Sequence, residues 1–127
     1  MKQIINPAGG PGAVGPYSPA IRWNGLVFVS GQIPLDPASG ELLGGDIQVQ
    51  VRRVLENIGL LLNESGSSFQ EVLKVSVFLA DLNDFEAMNQ VYAEYFGDSR
   101  PARSTIEVSR LPKGVDVEID VIAASDK

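Results

Sequence analysis

The sequence contains neither cysteine nor histidine among its 127 residues. The missing thiols exclude disulfides, CxxC redox centres and cysteine nucleophiles. The missing imidazoles exclude every catalytic triad that uses histidine as its base, and the two absences together exclude zinc sites built from Cys and His. Any acid–base chemistry must therefore come from carboxylates, tyrosine, lysine, the backbone or water.

Positive charge and long apolar runs are also scarce. Lys and Arg total 10 against 16 Asp and Glu, a net charge of −6. This disfavours nucleic acid as a partner, because phosphate binding needs clustered cations. The apolar runs at 26–29 and 60–62 are far shorter than the roughly 18 residues of a membrane-spanning helix. The first five residues lead directly into Asn6-Pro7 without the apolar stretch of a secretory signal, so we expect a cytoplasmic protein.

Apolar residues make up 44% of the chain, enough to fill one core, and we expect a single domain over residues 1–127. Hydrophobic periodicity predicts six strands, at residues 2–5, 21–23, 26–30, 72–80, 102–110 and 115–124. It also predicts two helices, one from the N-cap Asp46 to Gly66 and one from a capping box at 83–86 to Gly97. The expected fold is α+β, a two-layer sandwich with both helices on one face of a mixed sheet.

The last two strands are predicted to form a hairpin through residues 111–114. Alternation puts the polar side chains of the first strand, among them Arg103, at odd positions, and those of the second, among them Glu118, at even positions. Antiparallel pairing of odd with even positions places both polar sets on one face, so we expect Arg103 and Glu118 near each other. Phe28 and Phe78 fall on the face that the helices leave uncovered, and we expect identical subunits to bury that face.

Several polar residues allow both a functional and a purely structural interpretation. Arg103 could offer a two-pronged donor to a carboxylate ligand, or form a surface ion pair, which spacing alone favours. Glu118 could be a general base, or one of three acids that keep its face hydrated. Tyr17 could reach into a cleft or anchor its loop. Ser30-Gly31 could supply a hydroxyl and an accessible N–H group, or form a plain turn.

Three familiar site patterns are weak in this chain. Residues 10–15 match GxGxxG after a strand, but Pro16 and the strand that follows leave no room for the helix that would bind pyrophosphate, so we exclude a dinucleotide site. The acids Asp116, Glu118 and Asp120 lie two apart on one strand and therefore side by side, which does not suit a glycosidase pair. A cation site built from the same acids lacks calcium-loop spacing.

Six segments of the chain form a recognisable set. They are GPYS at 15–18, FVSGQIP at 28–34, DLNDF at 81–85, MNQVY at 88–92, RPARS at 100–104 and EVSRLP at 107–112. Together they resemble the reactive-intermediate deaminase family, the YjgF-type Rid family also labelled endoribonuclease L-PSP. The likeness covers nearly the whole chain, and it implies a chorismate-mutase-like α+β fold assembled as a homotrimer with three clefts between subunits.

The resemblance also implies a reaction, the hydrolysis of 2-imino acids such as 2-iminobutanoate and 2-iminopropanoate, in equilibrium with their enamines, to 2-keto acids and ammonia. It implies no metal and no cofactor, and the imines arise when pyridoxal-phosphate enzymes dehydrate serine or threonine. Arg103 would hold the substrate carboxylate, and Glu118 would orient and deprotonate the attacking water. The residues implied to line the cleft are Tyr17, Ser30, Gly31 and Asn89, with the backbone of Thr105 helping to hold the water.

The chain departs from the family pattern in three places. Thr105 stands where many relatives carry cysteine, Pro19 replaces a more common glutamine, and the segment 97–100, which borders the cleft, is shorter than in many members. A second hypothesis is a trimeric binding or regulatory module that captures small carboxylates without turnover. A third, ribonuclease activity, is disfavoured by the acidic charge and the absent histidine.

Overall fold

The computed structural model describes residues 1–6 and 15–126, and in this part of the chain two α-helices pack on one face of a mixed six-stranded sheet. The two-layer α+β arrangement is therefore confirmed. The strands are β1 (Gln3–Ile5), β2 (Ala20–Trp23), β3 (Leu26–Gln32), β4 (Val72–Leu79), β5 (Ala102–Glu107) and β6 (Val117–Ala124), and the helices are α1 (Ile47–Glu64) and α2 (Phe85–Phe96). Across the sheet the strands run in the order β1, β2, β3, β6, β4, β5.

The hairpin between β2 and β3 turns at Asn24-Gly25, as the sequence predicts. Both residues have positive φ, 55° and 79°, which is the geometry of a two-residue turn that matches the twist of the strands. The excluded nucleotide-binding pattern at 10–15 lies largely outside the described residues. After Gly15 the chain bends and enters β2 at Ala20, and no helix opens there.

Helix α1 begins and ends where its sequence signals predict. The Asp46 carboxylate accepts a hydrogen bond from the Val49 N–H at 3.0 Å, which satisfies one of the free donors of the first turn. Gly66, with φ of 74°, follows the helix in the left-handed conformation that glycine adopts readily. The apolar stripe of α1 packs on the sheet and includes Val51, Val54, Leu55, Ile58, Leu61 and Leu62, all fully buried.

Helix α2 ends at Gly97, as predicted, but its start differs from the prediction. The expected capping box at 83–86 is not formed; instead the Asp81 carboxylate accepts from the Asn83 N–H at 2.9 Å, at the start of a short 3₁₀ turn that leads into α2. Gly97 keeps a helical φ of −58°. The left-handed residue comes later, at Arg100, with φ of 48°, and its N–H bonds the Phe96 carbonyl at 2.9 Å.

The predicted hairpin between the last two strands is wrong. β5 pairs in parallel with β4, so that Arg103 lies opposite Val75, while β6 pairs antiparallel with β4 on its other side, so that Glu118 lies opposite Phe78. Residues that lie opposite each other share a face. Val75 is buried under the helices, and Phe78 points to the other face, three positions along. Arg103 and Glu118 therefore lie on opposite faces of the sheet, not near each other within one chain.

The helix between β4 and β5 explains this difference. A helical crossover brings the chain back parallel to the strand it left, so β5 joins the free edge of β4 beside that strand. β6 then enters between β3 and β4. Alternation within each strand was correct, but the faces were assigned on the assumption that β5 and β6 were neighbours.

The face of the sheet opposite the helices, hereafter the outer face, carries apolar side chains. Phe28 is 40% exposed and Ile106 is 48% exposed, and they lie opposite Ile122 and Phe78 respectively. The prediction that Phe28 and Phe78 lie away from the helices is confirmed. Within the described residues, neither helix has the length and apolar character needed to cross a bilayer.

Candidate active site

Arg103 is held on the helix side of the sheet by residues of α2. Its Nη1 donates a hydrogen bond to Asn89 Oδ1 at 2.7 Å. Its Cζ lies 4.6 Å from the centroid of the Tyr92 ring and 5.4 Å from that of Phe85. Stacking on aromatic rings fixes the plane of a guanidinium, and the amide sets its rotation. The cation is therefore oriented before any ligand arrives.

Within the described residues, no carboxylate forms an ion pair with this cation. Among residues 1–6 and 15–126 the ion pairs join Arg52 to Glu94 and Arg53 to Glu56, and Arg103 takes part in neither. Since the surface-ion-pair interpretation of Arg103 required such a partner, the described part of the chain does not support it. The remaining donors of the guanidinium are available to a ligand.

A cavity of about 690 Å³ opens beside Arg103 and is also lined by Asn89, Tyr92, Gly97 and Arg100. The segment 97–100, which the resemblance places beside the cleft, contributes Gly97 and Arg100 to this cavity. Burial raises the pKa of the Tyr92 phenol, and the nearby Arg103 opposes that effect. The phenol therefore stays protonated, and in the part of the chain that the structure describes its oxygen makes no hydrogen bond of normal geometry.

Thr105 lies on the same face as Arg103, opposite Val77. Its hydroxyl is buried and has no hydrogen-bond partner in the described part of the chain. Unsatisfied buried hydroxyls are uncommon and often mark a place where water or ligand binds. Asn89, Arg103 and Thr105 form what we call the cation half-site.

Glu118 lies on the outer face, beside Gly31 of β3. A Cβ added to Gly31 would lie 2.8 Å from Glu118 Cδ, closer than real side chains approach, so a larger residue at position 31 would displace this carboxylate from its observed position. The pairing of β3 with β6 is irregular between Val29 and Gln32, and such bulges often re-aim groups next to active sites. Gly31, Ser30, Glu118 and the loop of Tyr17 form the carboxylate half-site.

Ser30 connects this half-site to the Tyr17 loop. The Ser30 hydroxyl donates to the Ser18 carbonyl at 2.6 Å, and the Ser30 N–H donates to the Pro19 carbonyl at 2.9 Å. The Tyr17 side chain is 52% exposed. The proton of the Ser30 hydroxyl is therefore committed to holding the loop, although the oxygen retains acceptor capacity.

The outer face shifts the acidity of its carboxyl groups. Burial raises the pKa of Glu118, and the neighbouring negative charge of Asp120 raises it further. Burial also raises the pKa of Asp120, whereas a hydrogen bond from Ser76 and the charge of Lys74 oppose that rise. A carboxylate with a raised pKa is a stronger base, which is a common arrangement at catalytic sites.

The described residues do not assemble a metal site. No group of three or more acidic side chains within 1–6 and 15–126 is placed to hold an ion, so the sequence hypothesis of a cation site at Asp116, Glu118 and Asp120 finds no support there. Gln50 Nε2 donates to the carboxylate of Asp116 at 2.8 Å, which occupies one of the three acids in a structural contact.

No role is predicted from the sequence for three residues that the structure places beside Arg103, namely Phe85, Tyr92 and Arg100. Each of them lies in a segment that carries the family resemblance. Sequence spacing does not show which strand a helix covers. Knowledge that β5 lies beside β4 would have revealed them, because that position brings α2 over Arg103.

A family model described as endoribonuclease L-PSP matches residues 8–125. A RutC family protein of Pyrococcus horikoshii is 54% identical over 123 residues, which cover 97% of this chain and 98% of that protein. A 2-iminobutanoate/2-iminopropanoate deaminase of Capra hircus is 46% identical over 123 residues, 97% of this chain and 90% of that one. The crystal structure of E. coli TdcF with bound serine is similar with a TM-score of 0.91 and 41% identity, covering 98% and 99% of the two chains.

Proposed function

The chain belongs to the endoribonuclease L-PSP family, in which several relatives are named 2-iminobutanoate/2-iminopropanoate deaminase, and we propose that it hydrolyses 2-imino acids to 2-keto acids and ammonia. The observation that carries the proposal is Arg103, fixed beside a cavity by Asn89 and Tyr92 with no carboxylate partner among the described residues. A guanidinium in that setting suits a bidentate bond to a substrate carboxylate. It would fix the imine carbon relative to the base.

Glu118 is the proposed base. It takes a proton from a water whose oxygen bonds to the imine carbon, and the electron pair of the C=N double bond moves to nitrogen. Returning that proton to nitrogen makes ammonia a leaving group. As the C–N bond breaks, the hydroxyl oxygen gives its own proton to the Glu118 carboxylate and becomes the keto oxygen, and Glu118 then releases this proton to the departing ammonia or to water. A carboxylate is basic enough for this task because a protonated imine is already electrophilic, and the raised pKa of Glu118 strengthens it.

The two half-sites lie on opposite faces of one sheet, so we propose that they meet only between copies of the chain. In the proposed homotrimer, the cation half-site of one subunit faces the carboxylate half-site of the next. The apolar outer face, with Phe28 and Ile106 exposed, supplies surface for such contacts. Head-to-tail contacts of this kind close into rings.

The primary test is turnover by the purified protein. 2-Iminobutanoate is generated from 2-aminobutanoate by an amino-acid oxidase, and formation of 2-oxobutanoate is followed against a blank without the protein. We expect a clear acceleration. A rate equal to the blank would overturn the proposed reaction. Calorimetric binding of 2-oxobutanoate without turnover would instead support a carboxylate-binding module.

Mixed assemblies test whether the site lies between subunits. Arg103→Ala and Glu118→Gln variants, each inactive alone, are co-expressed with different affinity tags and purified through both tags. Purification through both tags leaves only mixed trimers. If Arg103 and Glu118 come from different chains, each mixed ring holds one site with both residues intact, so about a third of the sites are restored. A site contained in one chain restores none, so an inactive mixture would reject the interface.

RNA cleavage is the other activity that the family description suggests. The net charge of −6 opposes the approach of a polyanion, because no excess of cations is available to replace its counterions. RNA degradation that survives both Arg103→Ala and Glu118→Gln would point to a contaminating nuclease.

A further inference from the structure

The cavity beside Arg103 contains a second guanidinium. Arg100 lines the same space and stands three positions earlier in the chain, on the other side of Pro101. Both cations come from one chain and flank one cavity. The proposed reaction on a small neutral imino acid uses only one of them.

The backbone presents Arg100 in an unusual conformation. Its φ of 48° lies in the left-handed region, where glycine and asparagine are favoured and arginine is not. The Arg100 N–H bonds the Phe96 carbonyl at 2.9 Å, and its Nε donates to the Gly97 carbonyl at 3.3 Å. These two bonds hold the side chain at the end of α2, at the rim of the cavity.

The terminal nitrogens of Arg100 have no partner within residues 1–6 and 15–126. The ion pairs there involve Arg52 and Arg53, and the side-chain hydrogen bond of Arg100 uses Nε alone. Its outer N–H groups are thus open to a ligand in the cavity. The protein has a net charge of −6, yet this cavity is lined by two guanidinium groups with no ion-pair partner among the described residues, so its local charge is positive.

Two cations in one cavity suit a ligand with two anionic groups. A guanidinium binds a carboxylate through paired, charge-assisted hydrogen bonds, and Arg103 already accounts for the carboxylate next to the imine. We propose that Arg100 binds a second, side-chain carboxylate, so that the site favours 2-imino diacids over neutral 2-imino acids of the same length. This inference rests on the proposed deaminase function and names its substrate class.

The test compares two substrates that differ in one group. 2-Iminoglutarate and 2-iminopentanoate, generated by amino-acid oxidases from glutamate and norvaline, have equal chain length, and only the first ends in a carboxylate. We measure kcat/KM for each and take their ratio. The wild-type ratio is expected to favour the diacid. Arg100→Gln is expected to lower that ratio about tenfold, as loss of a charge-assisted bond implies.

Two further variants separate a specific contact from a general charge effect. Arg100→Lys keeps the charge and is expected to retain an intermediate ratio, because an ammonium binds carboxylates as a point charge. Arg110→Gln removes the same charge from an exposed residue outside the cavity lining, and its ratio should equal that of the wild type. An unchanged ratio in Arg100→Gln, or an equal fall in Arg110→Gln, would overturn the inference.

Failure of the proposed reaction is recognised separately. If the wild type hydrolyses neither imine, the deaminase proposal fails, and the role of Arg100 is then decided by calorimetry with 2-oxoglutarate and 2-oxopentanoate. Stronger binding of 2-oxoglutarate that weakens about tenfold in Arg100→Gln supports a diacid site. Equal binding of the two keto acids, or binding that Arg100→Gln does not change, overturns it.

Discussion

The two half-sites prepare their charged groups in different ways. Arg103 is fixed from outside by contacts, with Asn89 bonding one nitrogen and two aromatic rings stacking on its plane. The Glu118 carboxylate, in contrast, occupies space that is free because Gly31 has no side chain there. The contacts around Arg103 fix the orientation of its guanidinium, whereas the surroundings of Glu118 raise the pKa of its carboxyl group. A guanidinium of fixed orientation suits recognition of a planar anion, and a carboxyl group with a raised pKa suits proton transfer.

The largest effect is expected from Arg103 itself. Arg103→Lys keeps the positive charge but loses the planar fork and its stacking, so kcat/KM for 2-iminobutanoate should fall by about 10³-fold as positioning is lost. Steady-state kinetics measure this fall. The free energy of unfolding should decrease by only about 1 kcal/mol, the value of a cation–π contact. A variant with near-normal kcat/KM would show that charge alone is sufficient in the cation half-site.

Gly31→Ala breaks the carboxylate half-site without touching the cation half-site. The new methyl group displaces the end of the Glu118 side chain, and kcat should fall by about 10²-fold, at the lower end of the contribution of a general base. Gly44→Ala is the matched control, since a Cβ there meets no atom within 4 Å. Both variants should keep the thermal stability of the wild type. If Gly31→Ala and Gly44→Ala have equal activity, the close approach of Gly31 to Glu118 has no role in catalysis.

Ser30→Ala tests the support of the carboxylate half-site rather than its base. The lost hydrogen bond to the Ser18 carbonyl should reduce unfolding free energy by about 1 kcal/mol. As the Tyr17 loop loosens, kcat/KM should fall by about five- to tenfold, through KM more than kcat, because a net hydrogen bond is worth about that factor. Limited proteolysis of the 15–19 segment offers a second measurement. Unaltered proteolysis would contradict the role of Ser30 in holding the loop.

Asp120→Asn should give the smallest change, a shift in pH dependence. Because the charge of Asp120 raises the pKa of Glu118, its removal lowers that pKa, and the acidic limb of the kcat/KM profile should move to lower pH. The same raised pKa also makes the free energy of unfolding depend on pH. A raised carboxyl pKa favours the folded state at acidic pH, and that contribution is lost as pH rises through the folded pKa.

The variant should therefore show a weaker loss of stability from acidic to neutral pH than the wild type, measured by denaturant unfolding. Glu64→Gln, which removes an exposed charge at the end of α1, is the matched control and should leave the acidic limb in place. A limb that does not move in Asp120→Asn would show that Glu118 is not the group whose ionisation limits the rate.

Local signals determine the parts of the fold that were predictable. The turn at Asn24-Gly25, the capping of α1 by Asp46 and the apolar face that carries Phe28 each depend on neighbouring residues or on periodicity alone. The start of α2 differs because the Asp81 carboxylate caps a short 3₁₀ turn ahead of the helix, and the capping box predicted at 83–86 does not form. The pairing of β5 with β4 depends on contacts distant in the chain.

The same distinction applies to the candidate site. Resemblance nominated Arg103 and Glu118 as individuals, and each has the surroundings that its proposed role requires. Their mutual position was not predictable, because alternation gives the face of a side chain only relative to the strands beside it. The stacking of Tyr92 was missed for a related reason, since an aromatic residue on a buried helical stripe is indistinguishable in sequence from one that covers a cation.

The partition of Arg103 and Glu118 by the sheet gives the proposed enzyme a dependence on its own abundance. In the proposed assembly, a newly synthesised chain carries two half-sites that only a second copy completes, so catalysis would begin only after subunits associate. Upon dilution below the dissociation range of the assembly, turnover per chain should decline while the helical circular dichroism signal persists. The time at which ammonia release begins would then report when the subunits assemble.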